Sequence, residues 1–131
     1  MNNTPEQLAH RRLWHILGAG LVVAVIVSSL GPVGVPGQFR GLDKVAHAAA
    51  YLVLMVWFAG LQPRRLWGWL ALGLLGMGLA LEIAQGAMHL NRTAEARDML
   101  ANAAGVALGG LLAAAGLARW PHRLETWLAR R

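Results

Sequence analysis

The sequence predicts an all-α membrane protein, a bundle of four transmembrane helices with both termini in the cytoplasm. Of its 131 residues, 56% are hydrophobic and only 14% are charged, and the mean hydropathy is +0.46. This composition is too apolar for an ordinary soluble domain. Apolar stretches close to the roughly 20 residues that cross a bilayer occupy residues 13–30, 43–61, 66–88 and 99–118, so residues 1–131 are predicted to form one membrane domain.

The first predicted span follows the basic residues 10–12. Thr4 and Pro5 have the residue types of an N-cap and of a first helical position, so a helix is predicted to begin there. A cleaved signal peptide is the alternative interpretation of this basic start. Residues 13–30 are longer than the roughly 7–15 apolar residues of such a peptide, and no A-x-A-like site follows them, which favours a permanent span.

Short polar segments bound the second and third spans. Prolines and glycines in residues 31–37 exclude a continuous helix there, and Asp43 is predicted to be the N-cap of the second span. Residues 62–65 are predicted to turn on the opposite side of the membrane. The third span contains three glycines that are predicted to let helices approach closely: Gly73, Gly76 and Gly78.

The fourth span is predicted to follow a loop at residues 91–97, with Asp98 as a further N-cap. Gly105 and Gly109 have GxxxG spacing and share a face with Asn102. We therefore interpret Asn102 as a contact between close-packed helices in preference to a ligand contact. The basic tail, residues 121–131, is predicted to form an interfacial helix with three apolar residues on one face: Leu124, Trp127 and Leu128. A disordered basic anchor is the alternative interpretation of this tail.

The orientation follows from the basic residues. One side of the predicted bundle holds Arg11, Arg12, Arg64, Arg65, Arg119, Arg123, Arg130 and Arg131, and the other holds only Arg40, Lys44, Arg92 and Arg97. The positive-inside rule then places both termini in the cytoplasm, and all six tryptophans fall toward that side. Nucleic-acid binding is not expected despite the net charge of +6, because the basic residues never form a stripe beside stacking aromatic residues.

Polar residues recur at helical spacing near the outer ends of three spans. The three sets are Asp43, His47 and Tyr51; Glu82, Gln85 and His89; and Asp98 with Asn102. Residues three or four apart share a helix face, and polar groups within spans are costly to insert and usually functional. The predicted ligand-binding residues are Asp43, Lys44, His47, Tyr51, Glu82, Gln85, Arg92, Arg97, Asp98 and Asn102.

These residues permit some kinds of chemistry and disfavour others. Acid–base chemistry is compatible with them, with Asp43, His47 and Glu82 as candidate catalytic residues. Nucleophilic catalysis is disfavoured because Ser28 and Ser29 belong to the first span, away from the polar sets. A metal site is disfavoured because no helix has paired-histidine spacing, and no cofactor is expected. The absence of cysteine excludes disulfides and thiol chemistry.

Glu82 has two interpretations. A charged side chain inside a span costs about 2.5–3.5 kcal/mol on insertion scales, so Glu82 is expected to be protonated or paired with a basic residue. The candidate partners are Arg92, Arg97, Lys44 and His47. Glu82 is then either a functional group or half of a buried structural pair.

The polar residues form an ordered pattern across about half of the chain. The pattern is Asp43-Lys44-x-x-His47-x-x-x-Tyr51, then Glu82-x-x-Gln85, then Arg92 with Asp98 six residues later, then Asn102-x-x-Gly105-x-x-x-Gly109. It resembles the signature of the VanZ-like family of small bacterial membrane proteins, which is named for a protein associated with resistance to the glycopeptide antibiotic teicoplanin. The resemblance implies a multi-pass inner-membrane protein tied to the cell envelope and suggests a link to that resistance.

Two main classes of function follow. The first is binding or modification of a phosphate-bearing anionic lipid or cell-wall precursor, with Lys44, Arg92 and Arg97 as the cationic rim of an outer-leaflet pocket. The second is a proton- or ion-coupled transporter component acting as a homo-oligomer. The scarcity of polar residues in the cytoplasmic halves of the spans counts against transport. A scaffold for other membrane proteins is a third interpretation.

Overall fold

The computed structural model describes residues 8–30, 40–88 and 96–131, with the backbone alone for residues 40–43. All regular structure in these ranges is helical, which confirms the predicted all-α class. The five α-helices are α1 (Arg11–Leu30), α2 (Arg40–Leu61), α3 (Trp67–Ala87), α4 (Ala96–Ala114) and α5 (Trp120–Leu128). Short 3₁₀ turns, Arg64–Leu66 and Leu117–Arg119, precede α3 and α5. The helix start predicted at Thr4 lies outside the described residues.

The outer surface of the bundle is apolar. The helices α1, α2 and α3 are long and apolar enough to cross a bilayer, and α4 is comparable when it is counted together with α5. Large aliphatic side chains point away from the protein, among them Ile16, Leu72 and Leu111, which are 60–69% exposed. Apolar surface of this extent marks an interaction site in a soluble protein, and it is compatible with a multi-pass membrane protein.

Both aspartate N-caps predicted from the sequence are wrong. The helix α2 begins at Arg40, so Asp43 lies inside it, and α4 begins at Ala96, so Asp98 is its third residue. Arg97, assigned to the preceding loop, is also part of α4. A carboxylate in the first turn is stabilised by the helix dipole, so an aspartate near a helix start is favourable whether or not it is the cap.

The fourth span was predicted to reach Ala118, but α4 ends at Ala114. Gly116 has a φ of 113°, a left-handed conformation that glycine adopts without steric cost and that terminates helices. Pro121 then occupies the first turn of α5, where its missing N–H is not needed. The axis of α5 is bent by 70° from that of α4. The predicted tail helix is therefore confirmed as a helix, and it leaves the direction of α4.

The helices α2 and α4 make the most extensive helix pair of the bundle. A Cβ atom added at Gly105 would overlap the backbone carbonyl of Ala48, and one added at Gly109 would lie 2.8 Å from the carbonyl oxygen of Leu52. The GxxxG spacing thus lets the two backbones touch, as predicted. We call this contact the α2–α4 seam.

The glycines of α3 do not all have the predicted role. A Cβ atom added at Gly73 or Gly76 would have no neighbour within 4 Å among the described residues, so the prediction of close packing is wrong at these positions in that part of the chain. At Gly78 it is correct, because an added Cβ would lie 2.9 Å from Asn102 Nδ2 and 3.1 Å from the Tyr51 hydroxyl. Gly78 therefore makes room for polar side chains of α2 and α4.

Three tryptophans from different helices pack together at the end of the bundle that contains α5. The ring centroids of Trp14, Trp57 and Trp120 are 4.3–6.4 Å apart. Trp120 donates to the carbonyl oxygen of Trp57 at 3.4 Å, and Trp57 donates to that of Trp14 at 3.2 Å. Leu61, which is fully buried, packs in the same cluster. These three tryptophans lie at one end, as predicted, but they fill its interior instead of forming a belt around it.

Glu125 in α5 binds the start of α1. Its carboxylate accepts hydrogen bonds from the backbone N–H groups of Ala9 and His10, both at 2.9 Å, and from Trp14 Nε1 at 2.8 Å. The His10 ring nitrogen Nδ1 lies 3.6 Å from the same carboxylate. Burial raises the pKa of Glu125, but these hydrogen bonds outweigh it and hold the pKa below its usual value. We call this contact the Glu125 clasp.

Candidate functional site

Those predicted polar residues that the structure describes lie toward the opposite end of the bundle, where α2 and α4 begin and α3 ends. At its rim, Lys44 Nζ donates to Asp98 Oδ1 at 2.8 Å, which links α2 to α4. The two side chains are 31% and 14% exposed, so the pair is only partly solvated and its mutual attraction is stronger than in water. The positive charge of Lys44 is therefore balanced by Asp98.

Below this ion pair, Tyr51 and Asn102 lie almost completely buried, with 1% and 2% of their surfaces exposed. Tyr51 is seven residues beyond Lys44, or about 10 Å further along the helix. Both side chains face Gly78 of α3. Among the residues that the structure describes, neither the Tyr51 hydroxyl nor Asn102 Oδ1 has a hydrogen-bond partner. Buried polar atoms are nearly always hydrogen-bonded, so such atoms suggest a water molecule or ligand.

Gln85 connects α3 to α1. Its side-chain amide donates to the carbonyl oxygen of Ser29 at 2.6 Å, and both residues are buried. The expectation that Ser29 lies away from the polar sets is therefore wrong, because the end of α1 packs beside them. The residue type at position 29 gives no signal for this contact, because the acceptor is a backbone carbonyl.

Glu82 is buried, with 7% of its surface exposed, and His47 is half-buried. Both residues interact with other groups of the protein. Lys44, one of the predicted partners of Glu82, is bound to Asp98. Glu82 and Gln85 lie three residues apart and are both buried, as predicted for one face of α3.

The other predicted site residues lie at the margin of this cluster or beyond it. Arg97 is exposed in the first turn of α4. The Asp43 side chain, His89 and Arg92 lie outside the described residues. Within the described ranges, no group of three or more histidine and acidic residues is arranged to hold a metal ion.

The buried cluster offers both a donor and an acceptor to a ligand. The Tyr51 hydroxyl can donate a hydrogen bond, and Asn102 Oδ1 can only accept one. A hydroxyl group or a water molecule can satisfy both atoms at once. Arg97 at the rim presents the planar, paired donors that suit phosphate. Comparison of the chain with protein-family models, with curated proteins and with solved structures gives no match.

Proposed function

We propose that this chain is a VanZ-like inner-membrane protein of the bacterial cell envelope that binds a phosphate-bearing anionic lipid or envelope precursor from the outer leaflet. In this proposal four helices cross the membrane and both termini are cytoplasmic. The headgroup phosphate binds at the rim, and a hydroxyl of the headgroup enters between α2, α3 and α4. The family assignment depends on the motif pattern of the sequence, and the ligand chemistry depends on the buried cluster.

The main support is the pair of unpartnered atoms on Tyr51 and Asn102. Leaving a polar atom buried without a hydrogen bond costs about 1–3 kcal/mol, and a bilayer supplies no water to reduce that cost. A ligand hydroxyl that accepts from Tyr51 and donates to Asn102 would remove both penalties. Hydroxyl-bearing headgroups such as glycerol and sugars have this chemistry.

The charges at the rim assign different roles to the basic residues. Lys44 is balanced by Asp98, so its main role is to join α2 to α4. Arg97 is exposed and can bind a phosphate with two parallel hydrogen bonds. Arg92, which precedes it, completes the phosphate site in this proposal.

Transport across the membrane is less well supported. A transporter needs a polar path that continues to the other side. The opposite end is filled by Trp14, Trp57 and Trp120, with Leu61 packed against them. Among the described residues, these packed apolar side chains leave no polar path at this end, which favours a site that opens to one leaflet only.

The Glu125 clasp supports four crossings over three. Ala9 and His10 precede the first span, and they are hydrogen-bonded to a residue that follows α4. Two chain segments that touch at a membrane surface lie on the same side, so the number of crossings between them is even. Since α1, α2 and α3 are each able to cross, an even number of crossings supports α4 as the fourth span.

The topology is testable with engineered cysteines, because the chain has no cysteine of its own. Ala94→Cys, between α3 and α4, should react in intact cells with a thiol reagent that does not cross membranes. Leu66→Cys, in the exposed turn before α3, should react only after lysis. The opposite labelling pattern would reverse the orientation and exclude the outer-leaflet site.

The binding proposal is tested with lipid retained by the purified protein and quantified by mass spectrometry. Arg97→Ala should lower the retained phosphatidylglycerol severalfold. Arg64→Ala, an exposed arginine at the other end, is the matched control and should retain it. Tyr51→Phe separates ligand binding from packing, because it deletes only the unpartnered hydroxyl.

In lipid-free detergent, Tyr51→Phe should leave the melting temperature unchanged or raise it, since an unsatisfied buried group is removed. Added phosphatidylglycerol should then raise the melting temperature of the parent protein more than that of Tyr51→Phe. Equal lipid retention and equal stabilisation in the parent, Arg97→Ala and Tyr51→Phe would contradict the proposed function.

A further inference from the structure

The helix α5 is fixed to the bundle by two residues, and the apolar side chains beside them are exposed. Pro121 is buried and Glu125 forms the clasp, so these residues define the attached side. Leu124, Trp127 and Leu128 are 37–49% exposed. They lie three and four residues apart, which places them on one face of the helix. An uncovered apolar stripe therefore runs along α5.

The charge around this stripe is positive. Arg123 and Arg130 are exposed, and they line an open cleft together with Trp127. The guanidinium of Arg131 lies 4.2 Å from the centre of the Trp127 ring, which holds a positive charge beside an apolar anchor. Glu125 is the only acidic residue after Asp98, and the clasp turns it toward α1.

The start of α1 adds to the same charge. Arg11 and Arg12 are exposed, and they directly follow the two residues whose N–H groups bind Glu125. The clasp therefore keeps the basic residues of both chain ends near one another. The bend of 70° turns α5 away from the direction of α4, and so toward the plane of the membrane that α4 crosses.

We propose that α5 docks on the anionic phospholipid headgroups of the leaflet at its own end of the bundle. Leu124, Trp127 and Leu128 insert at the boundary between headgroups and acyl chains, and the arginines beside them bind headgroup phosphates. Apolar insertion and attraction to anionic lipid are the two contributions that bind amphipathic helices to membranes. This surface is distinct from the polar cluster at the other end, and its binding does not depend on the proposed function of that cluster.

The immersion of α5 is measurable with a nitroxide label on single cysteines, in the full-length protein in nanodiscs. With 30% phosphatidylglycerol in phosphatidylcholine, the label at Leu128→Cys should be accessible to oxygen and shielded from a water-soluble nickel reagent. The label at Thr126→Cys, which lies on another face of the helix and is exposed, should remain accessible to nickel. Equal nickel access at the two positions would overturn the proposal.

The role of charge is tested by changing the arginines in the Leu128→Cys background. Arg123→Gln, Arg130→Gln and Arg131→Gln together should increase nickel access at the label in nanodiscs with phosphatidylglycerol. Arg64→Gln with Arg65→Gln is the control, because it removes exposed arginines near the tryptophan cluster but outside α5. Equal shielding in nanodiscs of phosphatidylcholine alone would contradict selectivity for anionic lipid. Shielding in detergent that rises with protein concentration would instead assign the surface to a second copy of the chain and overturn the proposal.

Discussion

Gly105→Ala should prevent the bundle from forming, the largest effect expected of a single methyl group in this protein. The added Cβ would overlap the backbone carbonyl of Ala48. A backbone atom cannot move aside by changing rotamer, so α2 and α4 would have to separate along their whole contact. Overpacking of a core costs about 1–3 kcal/mol where side chains can adjust, and a larger loss is expected here. The measurement is the yield of monodisperse protein in detergent and its thermal unfolding.

Gly76→Ala is the matched control, because it makes the same substitution inside α3 at a position where no atom of the described ranges lies within 4 Å of the added atom. It should leave stability unchanged or raise it by up to about 1 kcal/mol, since alanine is the better helix former. If Gly105→Ala and Gly76→Ala unfold at the same temperature, the α2–α4 seam is not the close contact described above.

Glu125→Gln should release α5 from the bundle and remove an acid-sensitive contribution to stability. The carboxylate accepts three hydrogen bonds. A hydrogen bond to a charged group contributes about 1.5–3 kcal/mol to the free energy of unfolding, and less when it is exposed to water. Two of the three are exposed, so a total loss of about 2–3 kcal/mol is expected. Glutamine keeps one oxygen but loses the charge. Hydrogen exchange of residues 119–131 should accelerate in the variant.

The pH dependence of the Glu125 clasp has a definite sign. Because the folded protein lowers the pKa of Glu125 below its ordinary value of 4.5, the unfolded chain binds this proton more tightly than the folded protein does. The contribution to stability is therefore complete above the ordinary pKa and is lost as the pH falls through the folded pKa. Exchange at α5 should accelerate in acid for the parent protein.

The variant and a neighbouring control separate the clasp from other acidic groups. In Glu125→Gln the exchange of α5 should already be fast at neutral pH and change little in acid. Thr126→Val removes only a hydrogen bond within α5, from the Thr126 hydroxyl to the carbonyl of His122, and it should keep the parent pH profile. A pH profile in Glu125→Gln identical to that of the parent would assign the acid sensitivity to another residue.

The apolar stretches of the sequence were sufficient to locate α1, α2 and α3, because the length of a span is fixed by the thickness of the bilayer. Asp43 and Asp98 did not reveal where α2 and α4 begin, because an aspartate is favourable both as a cap and within the first turn of a helix. The end of α4 was missed because Leu117 continues the apolar pattern. Gly116, whose φ is positive, was the available signal, because glycine commonly ends helices.

The same distinction applies to the candidate site. Helical spacing correctly placed Glu82 with Gln85 on one buried face of α3, because such spacing is a local property of one helix. The Lys44–Asp98 pair depends on the register between α2 and α4, which the α2–α4 seam determines and which spacing within a helix does not encode. The contact of Gln85 with Ser29 uses a backbone carbonyl, a group that every residue possesses and that no motif can single out.

The Glu125 clasp also has a consequence for biosynthesis. Ala9 and Glu125 are 116 residues apart, and at usual rates of translation the ribosome needs on the order of 10 s to make that length of chain. During this time the N–H groups of Ala9 and His10 and the Trp14 indole are without this acceptor. A chain that terminates before α5 would lack both Glu125 and Trp120, so those N–H groups would have no carboxylate and Trp14 and Trp57 would lose their third partner.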